Sequence, residues 1–259
     1  MQIGICAVQR FSALTVLTGL FVLGALPAGA ATISVELRSD GVLIDTLDEN
    51  DLGAGCTAGG TAELCTLTNH VVGDYLVDLS LFVGTASGQT GFIGAGLTVD
   101  NTGLDVERLT VDLILTIGPF GAPSTESGGS VAPSVLDGVE GDESTPDGSV
   151  TLATVAGSSF YEALIDGTAF SRTLFDDPFA VNLGPSPPGQ SFGLTVPSDP
   201  DEPGPGVPST IRIRYDFTLT PLDQAGMTGK FVLQAVPEPG TAALLGLGLI
   251  GLTRIRRRR

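Results

Sequence analysis

The chain has 259 residues, with 36 glycines, 17 prolines, no tryptophan, a single lysine (Lys230) and a single histidine (His70). One histidine cannot build a multi-histidine metal site, and one lysine leaves little room for lysine-based covalent chemistry. Between Thr32 and Val236 six basic residues stand against 28 acidic ones, a balance of −22 that repels nucleic acid and anionic membrane surfaces.

Residues 1–30 read as a secretory signal peptide. Arg10 supplies the positive start, Phe11 to Leu26 is an uncharged apolar run, and Pro27 breaks it. Ala28 and Ala30 place small residues where a signal peptidase requires them, so cleavage is expected after Ala30. Cys6 leaves with the signal.

The body, residues 31–235, reads as short strands. Ile33, Val35 and Leu37 alternate with Ser34, Glu36 and Arg38; Val77, Leu79, Leu81 and Val83 repeat the period, as do Leu109, Val111, Leu113, Leu115 and Ile117. The strictest alternation runs from Ile211 to Thr220, apolar at odd positions and polar at even ones. Shorter candidates are Val42–Asp45, Phe92–Val99, Val150–Val155, Tyr161–Ile165, Ala169–Phe175, Phe192–Val196 and Phe231–Ala235. Asp40-Gly41 and Asp166-Gly167 fall between apolar runs, where tight hairpin turns belong. No stretch of the body keeps a helical period for three turns. The expectation is a single all-β domain, an antiparallel β-sandwich or a jelly-roll-like barrel. Gly118 to Ser149 reads as a long excursion, and Leu183 to Ser209, with eight prolines, as a stiff extended surface loop.

Cys56 and Cys65 are the cysteines left after export, and an oxidising compartment predicts a disulfide between them. Catalysis finds few parts. His70 is the only imidazole, it reads as a polar surface residue in a turn, and no G-x-S-x-G elbow occurs. Sugar stacking is poorly supplied as well: Tyr215 falls in phase with an inward face, and most of the twelve phenylalanines are expected in the core. Acidic residues crowd three loops, around Asp45 to Asp51, around Asp137 to Asp147, and around Asp199 to Glu202. Oxygen ligands so spaced suit calcium, with Asp137, Asp142 and Asp147 the candidate ligands. The favoured reading is solvated loop charge and no cofactor.

The last residues form a third unit, 236–259. Pro237-Glu238-Pro239 precedes an uncharged stretch from Thr241 to Leu252, which Arg254, Arg256, Arg257, Arg258 and Arg259 close. The prolines keep the segment before the membrane extended. The apolar part predicts a short transmembrane helix: residues 242–255 would span only about 21 Å of a hydrocarbon core of roughly 30 Å. The arginines should stay on the cytoplasmic side as a membrane stop. Gly246-Leu247-Gly248-Leu249-Ile250-Gly251 has dinucleotide-loop spacing, but no crossover helix or acidic partner can follow it.

In its order of tripeptide, short helix and basic end, this tail resembles the PEP-CTERM sorting signal of Gram-negative bacteria. The resemblance implies recognition and removal of the tail by a membrane protease-transpeptidase of the exosortase type. It also implies a surface or matrix destination in bacteria that make exopolysaccharide. The expected protein is an exported, non-catalytic surface or matrix component, with exopolysaccharide or matrix proteins as partners and no nucleic acid. A ligand- or carbohydrate-binding module is the alternative, and a hydrolase the third reading.

Overall fold

The computed structural model describes residues 32–53, 56, 63–86, 90–117, 125–136, 149–167, 170–183, 196–197, 202–204 and 209–235. In chain order the strands are β1 (Thr32–Ser39), β2 (Val42–Asp48), β3 (Glu63–Val72), β4 (Tyr75–Ala86), β5 (Thr90–Asn101), β6 (Glu107–Thr116), β7 (Thr125–Leu136) and β8 (Val150–Ala153). They continue as β9 (Ser159–Ile165), β10 (Phe170–Asp176), β11 (Ala180–Leu183), β12 (Val196–Pro197), β13 (Glu202–Gly204), β14 (Thr210–Leu219) and β15 (Gln224–Ala235). No helix occurs among the described residues, and none there is long and apolar enough to cross a membrane. The expected signal peptide and the tail helix lie outside them.

The strands form two antiparallel sheets. The first runs β10-β9-β14-β6-β1-β2, with β8 on the far part of β14 and β11 on β8. The second runs β12-β7-β15-β5-β4-β3, with β13 also on β7. One cluster of buried side chains joins them: Val35, Leu113, Ile213 and Phe217 from the first sheet, Leu79, Leu97, Val131 and Phe231 from the second. Each such side chain contributes about 1.5–3 kcal/mol by leaving water, which is what holds one sheet on the other. The all-β sandwich expected from the alternation is what forms.

Both Asp-Gly pairs turn the chain between strands, and the first is the tight hairpin that the sequence predicts. Asp40 and Gly41 take φ of 48° and 79°, the left-handed region that a two-residue hairpin requires, and Ser39 pairs with Val42 across them. Asp166 and Gly167 take φ of 48° and 82° but open a longer connection, since Ile165 pairs with Phe170. Two expectations need correction. The stretch read as an excursion from Gly118 to Ser149 contains β7, paired with β15 over twelve residues. His70 is not in a turn: it belongs to β3, just after a bulge at which Asn69 adopts φ 53°. Part of the proline-rich loop lies along β7 as β12 and β13.

Candidate functional site

The outer face of the first sheet carries four of the six basic residues of the body. Alternation turns Glu36, Arg38, Asp112, Glu162, Arg212, Arg214 and Asp216 away from the core. The register then aligns Glu36, Asp112, Arg214 and Glu162 in one row across β1, β6, β14 and β9. Arg214 grips Asp112 through Nε at 2.8 Å and a terminal nitrogen at 3.2 Å, and reaches Glu162 at 3.6 Å. Arg38 and Arg212 approach the same Asp112 at 3.9 and 3.8 Å, so three guanidiniums cover a carboxylate that is 0 % exposed. One row on, Arg108 forks onto Asp216 at 2.7 and 2.5 Å, and the Thr110 hydroxyl donates to the same group. The hydrogen bond that Arg108 donates to Asp216 raises the Arg108 pKa above its ordinary value. For Arg214 burial pulls the other way, and Asp112 outweighs it. These charges are matched within the face, which suits them to tying strands together.

The outer face of the second sheet is built differently. Thr66, Ser80, Gly96, Thr228 and Ala132 form one row across β3, β4, β5, β15 and β7, and Asp78, Thr98, Gly226 and Ser134 the next. They line a trough of about 420 Å³. Five strands at ~4.8 Å spacing make it roughly 19 Å long. Beyond Ser80 and Thr228 the following row is Phe82, Gly94 and Lys230. Phe82 is 49 % exposed and its ring centroid lies 5.3 Å from that of Phe92, a half-buried neighbour. The expectation that the phenylalanines serve the core fails for this pair, because both fall on the outward phase of their strands.

Glycines on the two sides of this sheet have different causes. At Gly229, on the inner side, a Cβ would collide with the Tyr215 hydroxyl from the opposite sheet. At Gly96, on the outer side, a Cβ would meet nothing nearer than the Ser80 Cβ at 4.0 Å, and the backbone φ is ordinary. Glycine inside a strand costs about 0.5–1 kcal/mol relative to alanine. Neither packing nor backbone conformation requires Gly96; its effect is to keep the trough open.

The other residues singled out from the sequence are scattered. Cys56 and Cys65 form the expected disulfide, Cα atoms 4.7 Å apart, fastening the β2–β3 connection to β3. Its loop closure stabilises the fold by about 2–3 kcal/mol. His70 Nε2 lies 3.1 Å from Asp45 Oδ2, linking the edge strands of the two sheets. In the first acidic loop, Asp48 accepts the Asn50 amide at 2.7 Å and Asp51 accepts the Asp48 amide at 3.0 Å, so these carboxylates close their own turn. Hydrogen bonding, led by the Asn50 amide, holds Asp48 below its ordinary pKa. No group of three His, Cys, Asp or Glu that could hold a metal ion occurs among the described residues. Asp137, Asp142 and Asp147, the cleavage residues Ala28 and Ala30, Pro237 to Pro239 and the terminal arginines lie outside them. The trough itself was not anticipated; the phase of Phe82 was the one readable signal for it.

No curated protein matches the chain. Residues 235–259 match the family model described as the PEP-CTERM protein-sorting motif. The match begins at Ala235, the last residue of β15. The chain therefore carries a PEP-CTERM tail, the mark of an exported protein targeted to an exosortase and sorted by way of the membrane toward the cell surface.

Proposed function

We propose that the protein is a non-catalytic component of the cell surface or extracellular matrix, a sandwich displayed by its tail so that its outer faces meet partners. The observation that carries this reading is the position of the sorting motif relative to the fold. Only Val236 separates β15, a central strand of the second sheet, from Pro237 in the sequence, so the sorting motif follows directly on the fold.

The start of the body leaves from the same end. Thr32 pairs with Thr116, which pairs with Thr210. Gly91, paired with Leu233 near the end of β15, lies against Ile117 and Ile211 from that end of the first sheet. A body held at this end points its Asp40-Gly41 turn and its β5–β6 and β14–β15 connections away from the membrane. The non-catalytic part of the proposal is supported by the use of the charged groups: Asp112 and Asp216 bind arginines, and His70 contacts Asp45 between sheet edges.

Replacing Pro237, Glu238 and Pro239 together with alanine tests the display route. In cells that possess an exosortase, the C-terminal mass of the wild type should correspond to a trimmed tail and that of the variant to an uncut one. Identical trimming of both would refute the reading.

A further inference from the structure

We infer that the outer face of the second sheet binds a neutral polysaccharide, the chain lying across the strands in the trough and meeting the exposed ring of Phe82 at its side. The inference deepens the interaction role proposed above and rests on it.

Three independent features point to that class of ligand. The first is the chemistry of the lining. Thr66, Thr68, Ser80, Thr98 and Thr228 present hydroxyls, and none of the five makes a side-chain hydrogen bond among the described residues. A hydroxyl both donates and accepts, as sugar hydroxyls do, so such a row can pair with a polyhydroxyl chain in several registers. The neighbouring Ser134 hydroxyl is already used, donating to the Gly226 carbonyl of the adjacent strand at 3.0 Å.

The second is the wall. Phe82, backed by Phe92, exposes about half of its surface beside a hydroxylated floor. That pairing of an apolar plate with polar groups matches a sugar ring, whose C–H faces are apolar and whose edge is hydroxylated. Gly94 lies between Phe82 and Lys230 in the register and leaves the way between them open. At Gly94 an added Cβ would meet the Phe82 carbonyl at 3.5 Å, an ordinary contact, so neither Gly94 nor Gly96 is forced by packing.

The third is charge. In a body of −22 the trough lining contains, among the described residues, a single ionisable group, Asp78, and its Oδ1 already accepts the Asn69 amide at 2.5 Å. A polyanion would be repelled at long range by the body. A protein partner would need apolar anchors at the centre of its contact. The centre here is hydroxyl and glycine, which leaves the neutral glycan.

Native gels containing a soluble neutral polysaccharide test the inference, because so acidic a protein migrates readily and retardation reads binding. The full chain, in a non-ionic detergent without a sugar headgroup, should be retarded by at least one of hydroxyethylcellulose, a mixed-linkage glucan and a galactomannan. Polygalacturonate should not retard it. Phe82→Ala should weaken retardation at least tenfold. Gly96→Val should do the same by filling the trough, while the β-branched residue suits the strand and keeps the fold. Thr46→Ala, on the outer side of the first sheet, should migrate as wild type. No retardation in any neutral gel overturns the inference, as does retention of binding by both trough variants with unchanged melting curves, or equal retardation by polygalacturonate. An uncut tail would defeat the display reading alone and leave the gel result standing, so the two failures are distinguishable.

Discussion

The two outer faces of this sandwich follow the same alternating pattern and use it for opposite ends. On the first sheet the outward positions are filled by long charged side chains whose register makes them partners, so Asp112 disappears under Arg38, Arg212 and Arg214. On the second sheet the outward positions of the trough shrink to Thr, Ser, Ala and Gly, with Asp78 as the one ionisable group of the lining among the described residues. A protein with only six basic residues in its body has placed four on one face. That face is stabilised by cross-strand ion pairs, while the other gives up side-chain packing and keeps a concave surface open. Stability and availability for contact are therefore assigned to different sheets.

Changes on the first face should therefore damage the fold most. Asp112→Ala leaves three guanidiniums crowded around an empty position. Removing one partner from a buried pair costs ~3–5 kcal/mol, and the partly exposed arginines reduce this to about 2–4 kcal/mol once solvent screening is counted. Urea unfolding at pH 7 should register it as a lower midpoint with an unchanged slope. A loss below about 0.5 kcal/mol would mean that the ion-pair row does not hold the sheet.

A smaller effect belongs to Asp166, in the β9–β10 turn, which accepts the Ser209 amide at 2.7 Å, the Ser209 hydroxyl at 2.8 Å and the Thr210 amide at 2.9 Å. Burial raises its pKa, but the bonds from Ser209 and Thr210 outweigh that and hold it below the ordinary carboxylate value. The folded state thus favours the charged form more than the unfolded chain does. Its contribution is complete above about pH 4 and is lost as pH falls through the lowered folded value. Because the group is largely exposed, the contribution is about 0.5–1 kcal/mol. Asp166→Asn should lower stability by that amount at pH 7 and converge with the wild type under acid. A constant difference across the whole acid range would contradict the assignment.

How far these features were legible in the sequence depends on what each strand packs against. Ile211 to Thr220 announces β14 because both of its faces are filled by residues typical of their side. Strand β7 is hidden because its inward positions are Ser127, Gly129, Val131, Pro133 and Val135, small residues that make room for tyrosines from the other sheet. A Cβ at Gly129 would lie 3.0 Å from the Tyr161 hydroxyl. Its apolar period is thus supplied by another part of the chain. Strand β3 is hidden by its bulge: Cys65 is buried before it and Val72 after it, while Val71 is 65 % exposed, so the alternation changes phase midway. The outward position of Phe82 follows from the same period that turns Leu81 and Val83 inward, and a general expectation about aromatic residues obscured it. Beyond that phase the trough was not legible, because it depends on the small size of Gly96 beside Ser80 and Thr228, which are 16 and 132 positions away and become neighbours only through the sheet order.

The most direct test of this division of labour is the melting temperature of Gly96→Val beside that of Asp112→Ala. If Gly96 serves only to keep the face open, a β-branched residue there should leave the fold as stable as the wild type or raise stability by up to about 1 kcal/mol. That gain amounts to roughly 2–4 °C for a domain of this size, while Asp112→Ala melts well below the wild type. A fall on Gly96→Val comparable to that of Asp112→Ala would show that the glycine is structural, and the claim that the second face is held open for use would fail.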